Sequence, residues 1–161
     1  MPRPEKERIV HAPPFFTGFK PIGVKAGGLE AVCLSLDEYE AFRLADYMGL
    51  SHVQAAEEMD ISRSTFSRLV ERARKKIAGL VIEGKLLTIE GGNIHFRKNM
   101  IRCLDCGHMF ITRMDAAMVE CSSCGSKNLL NLAGGFGHGR CCATDHQTKG
   151  DSHARKKQGN R

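Results

Sequence analysis

Four cysteines stand in two pairs whose spacing is suited to binding one metal ion. Two residues separate the members of each pair and 14 residues separate the pairs, which are Cys103 with Cys106 and Cys121 with Cys124. Two such pairs on tight turns bring four sulfurs to the corners of a tetrahedron, which is the geometry of structural Zn²⁺ sites. Gly107 and Gly125 directly follow the pairs, where a tight turn needs unhindered backbone. The spacing therefore predicts a structural zinc ribbon over residues 99–132.

Other chemistry at the same four sulfurs stays open at this level. An iron site of the rubredoxin kind uses the same ligands, and a dithiol redox pair is disfavoured because four paired cysteines favour a closed site. His108 follows one pair but is expected to be a surface residue. A catalytic zinc needs an open coordination position and a general base, and the sequence offers neither. We therefore expect a structural metal and no enzymatic activity.

A second stretch, from Ser51 to Leu69, has the pattern of two short helices joined by a tight turn. Ser51 and Ser62 are suited to capping the two helices, and Gln54 completes a capping box with the first serine. Asp60 falls in the turn, where the backbone of a helix-turn-helix becomes left-handed, and aspartate tolerates that conformation better than most residues. The pattern predicts a helix-turn-helix that places its second helix in the major groove of DNA.

The second of these helices, residues 62–82, is amphipathic and basic. Apolar residues recur at helical spacing from Phe66 to Val81 and predict a buried face. Arginine and hydroxyl side chains near the start suit base edges, while later cations suit phosphates. Glu71 lies on the same outer face, where it would read a cytosine or oppose a phosphate. The predicted DNA contacts are Ser62, Arg63, Ser64, Thr65, Ser67, Arg68, Arg72 and Lys75.

The charge distribution supports a face directed at a polyanion. The formal net charge is +6, but residues 30–60 carry eight acidic and one basic side chain, whereas residues 62–85 carry seven basic and two acidic ones. A uniformly solvated surface does not segregate charge in this way. Seven cysteines in a chain without a secretory segment favour metal binding over disulfides, so we expect a cytoplasmic protein.

The flanking segments are expected to support these two modules. Ser35 with Glu38 starts a helix that reaches about Met48, and its recurring polar residues Asp37, Glu40, Arg43 and Asp46 predict a solvated face. The proline-rich segment before it carries Phe15, Phe16, Phe19 and Ile22, which we expect to pack onto the domain. Residues 85–89 and 94–96, on either side of a glycine turn, predict a hairpin wing, with a further pairing to the strand near Val32.

These features predict a mainly α fold with small β elements. Residues 1–98 would form a helix-turn-helix domain with an N-terminal arm and a β-hairpin wing, followed by the zinc ribbon of residues 99–132. Residues 133–161 are glycine-rich and basic and are expected to be a disordered tail. Candidate transition-metal ligands in that tail are His138, Cys141, Cys142, His146 and His153.

Several runs of this sequence resemble an uncharacterised prokaryotic family of predicted DNA-binding proteins, domain of unknown function 134. The resemblance covers about residues 1–98 and rests on the opening MPRP, on IEGG, and on the run LSLDEYEAFRLADYMGLSHVQAAEEMDISRSTFSRLVERARKKIAGLVIEGK. The helix-turn-helix of that family looks like the one in region 4 of bacterial sigma factors. The resemblance implies DNA binding and a regulatory role.

We therefore expect a sequence-specific DNA-binding transcriptional regulator with a structural Zn²⁺ site. Double-stranded DNA is the expected partner, and a homodimer would bind two half-sites about one turn of DNA apart. One alternative is an adaptor whose zinc ribbon docks on the transcription machinery. Another is a metal- or redox-responsive regulator that senses through Cys141, Cys142 or the ribbon. No run of 18 apolar residues is present, so no membrane span is expected.

Overall fold

A computed structural model of the chain describes residues 6–117, 119–138 and 140–143. The described residues divide into two compact units. The first comprises residues 6–10 and 14–94, and the second comprises residues 11–13 and the described part of 95–143. Among the described residues, no helix is both long enough and apolar enough to span a membrane.

Short strands organise the first unit. β1 (Arg8–Val10) belongs to a two-stranded sheet, and β2 (Gly18–Phe19), β3 (Ala31–Leu34) and β4 (Leu86–Ile89) form a three-stranded sheet with β4 in the middle. β3 runs parallel to β4 with Val32 opposite Leu87, and β2 runs antiparallel to it. The predicted pairing of the 85–89 segment with the strand near Val32 is therefore confirmed.

The predicted hairpin wing is wrong. β5 (Ile94–Phe96) pairs with β1 and not with β4. Gly91 and Gly92 do have positive φ, at 77° and 103°. However, the Gly91 carbonyl accepts a hydrogen bond from the backbone N–H of Leu36 at 3.0 Å. The glycine turn is thus hydrogen-bonded to the first residue of the helix that begins at Leu36, and it directs β5 away from β4.

The fold as a whole is mixed α/β, and the prediction of a mainly α protein is wrong. Strands make up 22% of the described residues and form three small sheets. Most of these strands have two to four residues. Such strands are too short to show a clear alternation of apolar and polar residues. The sequence pattern therefore indicated mainly the long amphipathic helix and gave little indication of the sheets.

Three helices form the main core of the first unit. They are α1 (Leu36–Phe42), extended by a π-helical segment (Arg43–Tyr47), then α2 (His52–Glu58) and α3 (Arg63–Glu83). Both predicted capping boxes are present, and α3 ends at Gly84 with φ 66°. Phe66, Leu69 and Val70 of α3 are fully buried against two alanines of α2. The small alanine side chains let α2 and α3 approach closely.

The acidic residues of α1 are buried, where the sequence predicted a solvated face. Asp37 and Glu40 are only 4% and 2% exposed. Asp37 is paired with Arg8 of β1, and Glu40 accepts two hydrogen bonds from the Arg43 guanidinium at 2.8 Å each. The prediction fails because α1 packs against both β1 and α3, which leaves no side of the helix fully open to water. Buried carboxylates require such partners.

The apolar residues near the N-terminus are exposed, so their predicted packing onto the domain is also wrong. Side-chain exposure is at least 45% for each member of the group Phe15, Phe16, Phe19 and Ile22. Only two residues of this segment form a strand. This strand, β2, lies at the edge of its sheet and pairs with β4. An edge strand contacts the sheet on one side only, and it gives its side chains little cover.

The second unit is built around β6 (Lys98–Cys103). β7 (Met109–Arg113) and β8 (Leu129–Asn131) flank it, both antiparallel. Two short helices follow, α4 (Leu132–Gly135) and α5 (Arg140–Ala143). The prediction of a disordered tail from residue 133 is wrong for these helical residues, while residues 144–161, including His146 and His153, lie outside the described residues. Asn131 caps α4, because its side-chain oxygen accepts the Gly134 N–H at 2.9 Å.

Candidate functional site

Two matching turns carry the four predicted metal ligands. In the first, the Cys103 N–H donates to His108 O at 2.8 Å and the Gly107 N–H donates to Cys103 O at 3.0 Å. In the second turn, the Cys121 N–H donates to Ser126 O and the Gly125 N–H donates to Cys121 O. Donor and acceptor are five and four residues apart in the chain, as in the first turn. Gly107 and Gly125 have φ of 76° and 72°, which glycine adopts without strain. The two turns are therefore equivalent loops that each present a pair of sulfurs.

The four sulfurs converge on one point. Cys103 Sγ lies 3.6 Å from Cys124 Sγ, and Cys106 Sγ lies 3.7 Å from Cys121 Sγ. All four sulfurs lie within 4.8 Å of one another. Disulfides are excluded, since bonded sulfurs are about 2.05 Å apart. Zinc–sulfur bonds of about 2.3 Å in a tetrahedron place sulfurs about 3.8 Å apart, so the cluster fits a tetrahedral metal ion.

The electrostatics of the turns favour a thiolate at one position first. The backbone N–H of Cys106, helped by that of Asp105, lowers the pKa of the Cys103 thiol to about 7. The backbone N–H of Ser126 favours the Cys124 thiolate, but burial and the three neighbouring sulfurs raise the pKa of Cys124 to about 12. Negative charge on one sulfur thus opposes charge on the next. A bound cation removes that conflict because it stabilises all four thiolates together.

Asp105 connects the two turns. Its carboxylate accepts hydrogen bonds from the Ser126 hydroxyl and from the Asn128 side-chain amide, the latter at 3.2 Å. These bonds, first the one from Ser126, lower the pKa of Asp105. The Leu104 N–H also donates to Asn128 O at 2.9 Å. The loops that carry the sulfurs are therefore held together by groups other than the sulfurs themselves.

The α2–α3 connection is a tight turn of the predicted kind. Asp60 has φ 55°, and it is the one non-glycine residue with positive φ among the described residues. The Ile61 N–H donates to Ala56 O at 3.0 Å, which closes the turn. Ser62 then caps α3, since its hydroxyl accepts the Thr65 N–H at 3.2 Å. Asp60 also pairs with Lys6 at 3.1 Å, so one cation of the predicted N-terminal arm lies at this turn.

Five of the eight predicted DNA contacts already have partners within the protein. In the cap of α3, the Ser62 hydroxyl lies 2.8 Å from the Thr65 hydroxyl and 3.2 Å from the Ser64 hydroxyl. Ser67 Oγ lies 2.8 Å from His52 Nδ1 on α2. Arg72 pairs with the buried carboxylate of Glu38 at 3.3 Å. Ser67 and Arg72 therefore connect α3 to α2 and α1, while the hydroxyls at its start close the first turn of α3 itself.

The other three predicted contacts, Arg63, Arg68 and Lys75, lie exposed on α3, as does Ser64. These three cations form no ion pair with any described residue. Ser64, Arg68 and Lys75 follow one another at intervals of four and seven residues, so they share the face opposite the core. Exposed Glu71 lies on this face as well. We call Ser64, Arg68, Glu71 and Lys75 the outer stripe of α3.

A match to a family of unknown function, the DUF134 family, covers residues 1–97, which is more than half of the chain. The chain belongs to this family. Relatives that carry the name UPF0251 protein resemble it as well. The one from Chloroherpeton thalassium is 48% identical over 143 residues, covering 87% of this chain and 95% of the relative. UPF0251 protein CT1277 from Chlorobaculum tepidum is 41% identical over 145 residues, covering 87% and 74%.

The similarity to these DUF134 relatives extends beyond the part that the family match covers. An alignment over 87% of the chain cannot fit within residues 1–97, so it reaches into the cysteine-rich unit. A relative from Pelotomaculum thermopropionicum is 43% identical over 126 residues, covering 78% of this chain and 95% of the relative. No solved structure matches the chain.

One site residue was missed in the sequence. Three predicted tail ligands, His138, Cys141 and Cys142, lie together with His95, and the four candidate ligand atoms are within 4.8 Å of one another. The sequence did not indicate His95 as a metal ligand. Its position 43 residues before His138 gives no local spacing signal, so only the fold reveals this grouping.

Proposed function

We propose that this DUF134 protein is a non-enzymatic transcriptional regulator that binds double-stranded DNA through α3. The carrying observation is the outer stripe of α3, where Arg68 and Lys75 are exposed and have no acidic partner among the described residues. Cations without internal partners are available to phosphates and to guanine edges. A tight turn with left-handed Asp60 sets α2 across α3, as in proteins that insert the second helix of such a pair into the major groove.

The internal partners of the neighbouring residues narrow the proposed contact set. Arg63, Arg68 and Lys75 would touch DNA directly. Ser62, Ser64, Thr65 and Ser67 would instead position the helix, because their hydroxyls are bonded to one another at the start of α3 or to His52. Arg74 belongs to the same positioning group, since it forms two bonds to Asp46 at 2.8 and 2.9 Å, which lower the pKa of Asp46.

We further propose Zn²⁺ as the ion of the cluster formed by Cys103, Cys106, Cys121 and Cys124. Four thiolates with sulfur separations of 3.6 and 3.7 Å suit a d¹⁰ ion that accepts a closed tetrahedral shell. The metal would supply structure, because it joins two loops that flank a three-stranded sheet. All four positions are filled by protein, which leaves no coordination site for a substrate.

We expect Arg68→Ala to weaken duplex DNA binding by about 5- to 150-fold, because one bidentate arginine–base contact contributes about 1–3 kcal/mol. The probe is a duplex selected by the wild-type full chain from a random DNA pool, and affinity is measured by gel-shift titration at fixed salt concentration. A palindromic selected sequence would in addition indicate that the protein binds as a dimer.

Arg113→Ala provides the matched control for this test. Arg113 lies in the second unit, is similarly exposed and pairs with Asp115 at 2.7 Å. We expect its loss to leave DNA affinity within about twofold. Equal affinities of the Arg68→Ala and Arg113→Ala variants, or failure of the wild-type chain to enrich any duplex, would refute DNA reading by α3.

Glu38→Gln should strengthen non-specific DNA binding while it weakens the fold. Glu38 is buried and pairs with both Arg72 and Lys76 of α3, at 3.3 and 2.7 Å. Removal of its charge releases these cations toward phosphates, so the salt dependence of binding should become steeper by about one or two phosphate contacts. The lost pairing should cost about 1–3 kcal/mol of unfolding free energy. Urea unfolding and a salt series of gel shifts measure the two effects, and unchanged salt dependence would contradict this account of Arg72.

A further inference from the structure

We propose a second metal site, formed by His95, His138, Cys141 and Cys142, that takes a zinc-like divalent cation in a tetrahedral shell of two sulfurs and two nitrogens. The site is separate from the four-cysteine cluster and shares no ligand with it. It does not depend on whether the protein binds DNA.

The separations between the ligand atoms match such a shell. Zinc–sulfur and zinc–nitrogen bonds of about 2.3 and 2.05 Å in a tetrahedron place two sulfurs about 3.8 Å apart and a sulfur and a nitrogen about 3.6 Å apart. Cys141 Sγ lies 3.7 Å from Cys142 Sγ and 3.6 Å from His138 Nδ1. Cys142 Sγ lies 3.5 Å from His95 Nδ1 and 3.4 Å from His138 Nδ1. Four of the six separations therefore match a tetrahedral shell, and the other two are within 4.8 Å.

Hydrogen bonds among the four side chains are a weaker explanation of this grouping. His138 Nδ1 contacts both sulfurs, and the sulfurs contact each other, at 3.4–3.7 Å. If His138 Nδ1 is protonated, it has one proton for two sulfurs; if it accepts from both thiols, no proton is left between the sulfurs. In addition, the Phe96 N–H donates to Cys142 Sγ at 3.3 Å. A backbone donor aimed at a sulfur is typical of the groups that surround metal-bound thiolates.

The fold positions the ligands before any metal is considered. Buried Asn99 of β6 accepts the Ala133 N–H at 3.1 Å and donates to Asn131 at 2.8 Å, which fixes the start of α4. At the other end, Gly137 has φ 79°, and the Gly137 and His138 N–H groups donate back into α4 at 3.0 Å. These bonds turn the chain so that His138 faces β5.

Aromatic contacts complete the placement. The His138 ring stands edge-on to Phe96 with centroids 5.1 Å apart, and to His95 with centroids 6.0 Å apart. Phe96 and Cys142 are fully buried, while Cys141 is exposed. One side of the site is thus closed by protein, and the other is open to an entering ion.

A metal at this point would explain why α5 is held on β5. α4 and α5 have four residues each, which is far below the length at which an isolated helix is stable. A cation bound by His95 and by both cysteines crosslinks residues 47 positions apart in the chain. Binding of Zn²⁺ to two thiols and two neutral imidazoles releases two protons to solvent and leaves a shell without net charge.

The first test uses the unaltered full chain, purified after growth with added zinc and without chelator. We expect two zinc ions per chain by elemental analysis. Zinc-edge X-ray absorption should give an average shell of three sulfurs and one nitrogen, because six of the eight ligands in the two clusters are sulfurs. One zinc per chain with a pure sulfur shell would overturn the proposal.

The second test compares two sets of serine substitutions. The double variant Cys141→Ser/Cys142→Ser should retain one zinc per chain, while Cys33→Ser, which alters an exposed cysteine outside both clusters, should retain two. Equal zinc content in the two variants would overturn the proposal. If the double variant does not fold, His95→Ala replaces it, with His108→Ala as the control, because His108 is exposed and lies outside both clusters.

Discussion

The Cys121→Ser variant is expected to lose the metal of the four-cysteine cluster and, with it, the fold of β6, β7 and β8. Cys121 is buried, and its sulfur lies 3.7 Å from that of Cys106. Metal binding contributes on the order of 10 kcal/mol to the folding of small zinc modules, which exceeds what a three-stranded sheet of this size supplies alone. Elemental analysis should show the loss of at least one zinc ion per chain. Amide hydrogen exchange should show that Met100 and Ile101 of β6 lose protection.

Cys33→Ser is the matched control for this variant as well. It makes the same chemical change at an exposed cysteine that belongs to neither cluster, so metal content and exchange should equal those of the unaltered chain. The core amides of α3 should remain protected in both variants, because α3 belongs to the other compact unit. Full protection of β6 in Cys121→Ser would show that the sheet folds without the metal and would refute a structural role for it.

Phe66→Ala is expected to lower the free energy of unfolding of the first unit by about 3–5 kcal/mol. The ring is fully buried between α1, α2 and α3 and stands edge-on to the His52 ring at a centroid distance of 5.3 Å. Its removal leaves a cavity that α2 cannot fill, since the facing residues are the short Ala55 and Ala56. Urea unfolding followed by far-UV circular dichroism measures the change.

Val81→Ala is the control that tests whether the loss of unfolding free energy in Phe66→Ala comes from burial in the core. Val81 lies on the same helix but is 73% exposed, although its helical spacing predicted a buried position. We expect a change of no more than about 0.5 kcal/mol there. Similar destabilisation by the two substitutions would contradict the location of the core at the first half of α3.

The features that the sequence predicted correctly are local. The spacing of Cys103, Cys106, Cys121 and Cys124 indicated one cluster, because two residues between cysteines fix a loop whose sulfurs point the same way. Ser35 and Ser51 marked the starts of two helices, since capping depends on hydrogen bonds within three residues. Asp60 marked the turn because aspartate tolerates the left-handed conformation that it adopts there. Each of these features depends on a few neighbouring residues, so each can be recognised from the sequence alone.

The charges were harder to interpret, because a charged side chain is solvated by default and becomes buried only when a distant partner arrives. Asp37 has that partner in Arg8, 29 residues away, and Glu38 has one in Lys76, 38 residues away. Glu38 also pairs with Arg72, so Arg72 is not one of the free cations that the sequence predicted on the outer face of α3. Only Arg63, Arg68 and Lys75 of the predicted cations stay available.

Sheet pairing and the second metal site were decided by the tertiary structure alone. β5 pairs with β1, which ends 84 residues before β5 begins, and strands of three residues carry no pattern that would identify such a partner. His95 meets Cys142 across 47 residues, so no motif connects them. The predicted ligands of the four-cysteine cluster were legible because short loops bring them together. The ligands of the second cluster come together only because β5 and two short helices fold against each other.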